Sequence, residues 1–148
     1  MPSFGERSRR RLENAHPHLQ TLCREAIRFL DFTVLETHRS PERQEELVSL
    51  GRSKTKKSLH LSLPSKAIDL APWPLNEKDW REPARFIGLA LYIQATCDQM
   101  QRDGRLPATF KLVWGGDWDS DGLYGPAHKD QTFDDLPHLQ LNFYAERG

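Results

Sequence analysis

The chain has 148 residues, 37% of them hydrophobic, with four Trp, seven Phe and 21 basic against 21 acidic side chains. That length suits one domain, and that aromatic content excludes a disordered chain. No apolar run nears the ~20 residues of a membrane helix, and the polar, basic residues 1–12 do not read as a secretory leader. Along the chain, Leu12, Leu19, Leu22, Ala26, Ile27 and Leu30 fall mostly three or four apart. This predicts an amphipathic helix over 12–30 with Pro17 near its start, preceded by a separate turn and a flexible end at 1–11. Residues 32–35 form a short β-type run. Ser40 and Pro41 then suit the cap and first turn of a helix that carries Leu47, Val48 and Leu50 and stops at Gly51.

Residues 52–64 read as an irregular basic loop, and 67–71 as a strand stopped by Pro72 and Pro74. The longest helix is predicted over 82–102, with Phe86, Leu89, Ala90, Ile93, Cys97 and Met100 as its core face. A strand over 110–114 enters the Gly115-Gly116 turn. Residues 138–143 alternate as a last strand, Leu139, Leu141 and Phe143 on one side and His138, Gln140 and Asn142 on the other. The order of elements implies an α+β domain with a small antiparallel sheet flanked by helices.

The neutral total hides an asymmetry: residues 1–66 hold 13 basic and 8 acidic side chains, residues 67–148 hold 8 and 13. A basic half suits an anionic polymer and an acidic half a cation. Cys23 and Cys97 are too few for a disulfide framework and too far apart for a thiolate metal site. They read as buried free thiols.

Two of the six histidines stand out. His60 precedes Asp69 by nine residues, with Pro64 between them forbidding a continuous helix, so the two converge only as a loop residue meeting a strand residue. Asp69 lies inside the apolar run 67–71, where a carboxylate is costly to bury without a cation or donors; a strand-edge aspartate facing water is the alternative. His138 opens the last strand. Two histidines and one carboxylate make a three-donor set for Zn²⁺ with a fourth position for water. Asp135, three residues before His138, is placed to move a proton without binding the metal.

Ser58-x-His60, Ala67-x-Asp69 and Asp135-x-Pro137-His138 together resemble the signature of zinc peptidases of the D-Ala-D-Ala carboxypeptidase and hedgehog-like group. The closest resemblance is to the phage L-alanyl-D-glutamate endopeptidases, endolysins that cut the peptidoglycan stem peptide. His38-Arg39-Ser40-Pro41-Glu42-Arg43-Gln44 with Gly51-Arg52-Ser53-Lys54, Pro64-Ser65-Lys66 before the Asp69 motif, and Trp114-Gly115-Gly116-Asp117-Trp118 agree with it, in order, over residues 32–143. The resemblance implies His60, Asp69 and His138 as zinc ligands and Asp135 as catalytic base and acid. It further implies Arg39 as the group that polarises the scissile carbonyl, and Ser58 and Gln44 as substrate-side residues, Ser58 a nearby donor and Gln44 a support for Arg39. The competing role for Arg39 is a surface ion pair with Glu36 or Glu42, worth little. Two departures stand out. Leu139 and Gln140 follow the metal histidine where the subgroup often has an aromatic and an acid, and the longer step from His60 to Asp69 requires the loop 61–66 to bulge.

Asp117-x-Asp119-x-Asp121-Gly122 has the opening of a calcium loop, although its twelfth position is His128 rather than Glu, which excludes an EF-hand. A solvated acidic turn is the alternative. The expectation is a monomeric, single-domain zinc endopeptidase for the L-Ala–D-Glu bond, made in the cytoplasm and released to the wall by a holin. No wall-binding module, nucleic-acid partner or stable membrane association is expected. A D,D- or L,D-carboxypeptidase on the same scaffold, a non-catalytic wall-binding module, and a nucleic-acid binder built on the basic residues 52–57 are the rivals.

Overall fold

The computed structural model describes residues 1–53, 58–122, 124 and 134–145. The basic loop therefore lies partly, and His128 wholly, outside the described residues. Four strands, β1 (Phe32–Glu36), β2 (Ala67–Pro72), β3 (Phe110–Gly115) and β4 (Asp135–Phe143), form an antiparallel sheet in the order β1-β2-β4-β3. One face packs against helix α4 (Ala84–Arg102), whose six predicted core residues are all buried. Helix α2 (Pro17–Ala26) packs on α4, and α1 (Glu6–Leu12) on β1. Ile68 and Leu70 of β2, Leu112 and Trp114 of β3 and Leu139 and Leu141 of β4 belong to the same buried core. The alternation of each strand leaves its other residues for the opposite face.

Three expectations change. The predicted helix over 12–30 shortens to α2, which starts at Pro17 as expected but ends at Ala26, while Leu12 closes α1 instead. His16 caps α2, its Nδ1 accepting the His18 N–H at 3.1 Å with Pro17 at the first helical position, and Ile27 closes the helix. Leu30 falls outside that helix and is exposed. Residues 6–12, expected within a free end, form α1 because Ser8 and Leu12 are buried; the Ser8 hydroxyl meets Thr33 at 2.9 Å and accepts the Val34 N–H at 3.1 Å. The last strand begins at Asp135, three residues early, with Pro137 inside it. Proline fits because pairing is irregular there: β3 partners step from Leu139 to Asp135 across Trp114 and Gly115, and β2 pairs with β4 only from His138 onward.

Elsewhere the local rules suffice. The Ser40 hydroxyl accepts the Arg43 N–H at 3.1 Å to start α3 (Pro41–Ser49), and Gly51 takes φ +72° just beyond its end. At Gly115 the requirement is close approach. A Cβ there would collide with the Asp135 carbonyl, so a residue without one lets the start of β4 lie against β3.

Candidate metal centre and catalytic cleft

Asp69 and His138 are direct cross-strand partners on β2 and β4, so their side chains project side by side from one face. His60 arrives from a short 3-10 turn, Leu59–Leu61, where the Ser58 hydroxyl accepts its backbone N–H at 3.2 Å. The Arg39 N–H to the His60 carbonyl, 2.7 Å, ties that turn to the segment after β1. The long loop before β2 is held at Ser65, whose N–H donates to Asn14 and whose hydroxyl donates to the Thr37 carbonyl at 3.0 Å.

The result is a triangle of donor atoms. His60 Nε2 lies 3.1 Å from Asp69 Oδ1 and 3.2 Å from His138 Nδ1, and His138 Nδ1 lies 3.3 Å from Asp69 Oδ1. Donors about 2.0–2.1 Å from a tetrahedral zinc stand about 3.3–3.4 Å apart, so the triangle has the size of one face of that tetrahedron. The remaining atom of each residue is occupied elsewhere. His60 Nδ1 donates to the Thr37 carbonyl at 2.6 Å, which leaves Nε2 with its lone pair toward the site. His138 Nε2 donates to Gln140 Oε1 at 2.8 Å, which leaves Nδ1 toward it. Asp69 Oδ2 accepts from Arg39 Nη2 at 3.4 Å. Such outer partners set tautomer and ring orientation before any metal arrives.

Charge follows the same geometry. Burial works to raise Asp69, but the two imidazoles beside it win and hold its carboxyl well below the usual range. Burial works to lower His138, but the hydrogen bond and charge of Asp69, with Asp135 behind, raise it. Asp135 Oδ2 stands 4.0 Å from His138 Nδ1, and burial, reinforced by the charge of Asp69, pushes it up to about 6 against the pull of His138, His60 and Arg39. A carboxyl poised near neutrality can both accept and return a proton.

Arg39 is buried, and the surface ion pair is the wrong picture of it. Its Nε and Nη2 grip the two Glu36 oxygens at 3.0 and 2.9 Å, and Nη1 donates to Gln44 Oε1 at 2.7 Å. Among the described residues one Nη1 hydrogen remains uncommitted. Glu36 reaches this position through a bulge in β1 between Val34 and Glu36, which sets it opposite Asp69.

A cleft of about 840 Å³ opens over these groups and is walled by Arg39, Asp69, Asp135, His138, Trp80 and Trp118. Ser58 lines it, whereas Gln44 does not: it is fully buried behind Arg39 and donates to Ser53 at 2.9 Å, so it supports two residues of the cleft wall. Nothing in the residue pattern singles out Thr37, which acts through a backbone carbonyl, or Trp80. A lone exposed indole in a loop has no pattern to betray it.

The acidic turn is a separate cluster. Asp117, Asp119 and Asp121 bring carboxylate oxygens within 4.8 Å of one another; Asp117 is buried and the other two exposed. Asp117 Oδ2 accepts the Gly122 N–H at 3.0 Å, but its Oδ1 and the Ser120 hydroxyl are buried without a hydrogen-bond partner among the described residues. Burial, with the neighbouring carboxylates, raises Asp117.

Three protein donors with a further carboxylate held back from them define a class, the metal-dependent hydrolases. Comparison with known proteins agrees with the centre and narrows it. The chain belongs to the phage L-alanyl-D-glutamate peptidase family, whose model matches residues 2–142. It is 27% identical over 143 residues to the L-alanyl-D-glutamate peptidase of Escherichia phage T5, covering 93% of this chain and 96% of that one. It also resembles the crystal structure of the Serratia marcescens L-Ala D-Glu endopeptidase ChiX, with a TM-score of 0.61 and 27% identity over 95% of this chain and 91% of that one. The α+β fold with its antiparallel sheet is that of the structural relative. No helix among the described residues is long and apolar enough to cross a membrane.

Proposed function

We propose that the chain is one zinc-dependent catalytic domain that hydrolyses the L-Ala–D-Glu bond of the peptidoglycan stem peptide, as a phage-type endolysin. The donor triangle of His60, Asp69 and His138, with Asp135 4.0 Å from His138, is the observation that carries this reading. Those three residues would hold the ion. Zinc, when bound, supplies a Lewis acid that makes water acidic enough to be a nucleophile near neutral pH. Asp135 takes the proton of the attacking water and returns it to the leaving amine. Arg39, held by Glu36 and Gln44, offers its remaining Nη1 hydrogen to the carbonyl oxygen, where negative charge develops. Burial of the guanidinium makes that charge count for more than it would in water. Ser58 shapes the cleft and fixes the His60 turn. Synthesis in the cytoplasm and holin-type release to the wall complete the reading.

The test is mass spectrometry of purified peptidoglycan incubated with the protein, with and without a zinc chelator. Chelator-sensitive fragments with a new N-terminal D-Glu are expected. Loss of a terminal D-Ala alone would instead assign a carboxypeptidase.

For the acidic turn, we propose a Ca²⁺ site formed by Asp117, Asp119 and Asp121, because the partnerless Asp117 oxygen is a buried acceptor in need of a donor or cation. Calcium should raise the melting temperature of the wild-type protein by about 5–11 °C, the shift expected for a ligand near a hundred times its Kd. It should not do so for Asp117→Asn. Equal shifts in both proteins would remove the site.

A further inference from the structure

The proposed reaction uses one end of the cleft and leaves an aromatic wall unexplained. Trp80 is 53% exposed and lines the same cavity as Asp69 and His138. Singly exposed apolar side chains are ordinary on a protein surface, so what sets this ring apart is its place in the cleft wall. The ring is also not loose. It rests on Phe86 at the start of α4, with centroids 4.9 Å apart. Its turn, Glu77–Trp80, is pinned by the buried carboxylate of Asp79, which accepts the Asn76 N–H at 2.9 Å and Arg85 Nη1 at 2.7 Å. Arg85 Nη1 also donates to the Pro74 carbonyl at 2.7 Å, closing the connection between β2 and α4. An ion pair with a buried carboxylate and a cap thus fix the turn that carries the indole at the cleft wall.

The cavity's size asks for more ligand than the scissile dipeptide. At about 840 Å³ it lies in the upper part of the ~300–1,000 Å³ range of pockets that enclose a drug-sized molecule, while Ala and Glu are two short residues. Its wall also carries polar groups: the hydroxyl-bearing Ser53 and Ser58, and Arg52. A flat apolar face beside hydroxyl and guanidinium groups suits a pyranose ring, which has apolar C–H faces and a polar rim. In the proposed substrate a sugar is close at hand, because the amine of L-Ala is acylated by the lactyl arm of muramic acid.

We propose that Trp80 is the stacking platform for the muramyl sugar of the glycan strand, so that the enzyme selects stem peptide still attached to glycan. The proposal rests on the endopeptidase reading for the identity of the sugar. An aromatic contact of this kind carries about a tenfold preference.

The probes are N-acetylmuramyl-L-alanine, which contains no scissile bond, and N-acetyl-L-alanine. Each is titrated by NMR into zinc-loaded wild-type, Trp80→Ala and Trp80→Phe proteins of matched melting temperature. Alongside, kcat/KM is compared for muramyl-linked and sugar-free stem peptide. Wild type should prefer the muramyl form about tenfold in both assays, Trp80→Phe should keep part of the preference, and Trp80→Ala should lose it. Equal weakening of both ligands by Trp80→Ala, or a preference that survives it, overturns the platform. If the muramyl preference depends on Trp80 but no peptide is cleaved, the platform stands and the endopeptidase reading falls. If peptides are cleaved and the preference does not depend on Trp80, the reverse holds. If neither probe binds, the platform is overturned.

Discussion

Two clusters of metal-type donors sit among the described residues, and they are built in opposite ways. In the first, Asp69 and His138 come from paired central strands, and Thr37, Gln140 and Arg39 occupy the atoms that face away from the site. In the second, Asp117, Asp119 and Asp121 come from one turn, two of the three are exposed, and a buried oxygen has no partner. Preorganisation therefore belongs to the cluster whose donors are far apart in sequence. Paired strands fix two of its donors and the Thr37 carbonyl locks the third on its turn, and catalysis needs donors that do not reorganise during the reaction.

The sharpest way to strain that contrast is to remove the proton carrier and leave the donors. Asp135→Asn should lower kcat by about 10²–10⁴-fold, while metal analysis still finds zinc. Near-wild-type turnover would end the assignment. Next in size is the backing of each cluster. Ile68 lies in the core immediately before Asp69, so Ile68→Ala should cost about 2–5 kcal/mol in denaturant unfolding. Asp119→Ala, on the exposed turn, should stay within about 0.5 kcal/mol. Comparable losses would mean that the turn is as integral to the fold as the sheet.

A finer effect concerns Gln140, which stands where related sequences often carry an acid. Its amide is itself oriented, with Nε2 donating to Asn142 Oδ1 at 2.8 Å, so the oxygen is the atom that meets His138. Gln140→Ala should weaken zinc binding about 10–100-fold in a chelator competition, and Gln140→Glu should retain it. Unaltered affinity in the alanine variant would show that strand pairing alone orients the ring. The smallest effect lies away from both clusters. Burial pushes the Cys23 and Cys97 thiols up to about 12, so alkylation of native protein at pH 8 should be slow and should accelerate on unfolding.

Much of this arrangement was legible in the sequence because side-chain chemistry and period carry it. The core face of α4 followed from helical spacing, and the two sides of β4 from alternation at His138, Leu139, Gln140 and Leu141. Asp69 stood out as a carboxylate inside an apolar run, and the resemblance of the motifs around His60, Asp69 and His138 to a peptidase family joined the three. What was not legible depends on the backbone. The Thr37 carbonyl that orients His60 could belong to any residue. Glu36 was one of two partners considered for Arg39, but the β1 bulge that sets it opposite Asp69, and the burial of the pair's guanidinium, have no residue signature. Helix α1, at an end expected to be free, turned on Ser8 and Leu12 finding cover, a tertiary contact that local pattern does not report. Pro137 hid the true start of β4, since a proline argues against a strand unless the pairing is already broken there.

Strand β4 carries core leucines and the zinc-side residues in strict alternation, and so the metal centre doubles as a proofreader of strand register. A slip of one residue against β2 would turn Leu139 and Leu141 out of the core and drive His138 and Gln140 into it. The same slip would separate His138 from Asp69 and dissolve the donor triangle. Folding errors at this strand are thus penalised twice, and metal retention would report, molecule by molecule, which copies have paired correctly.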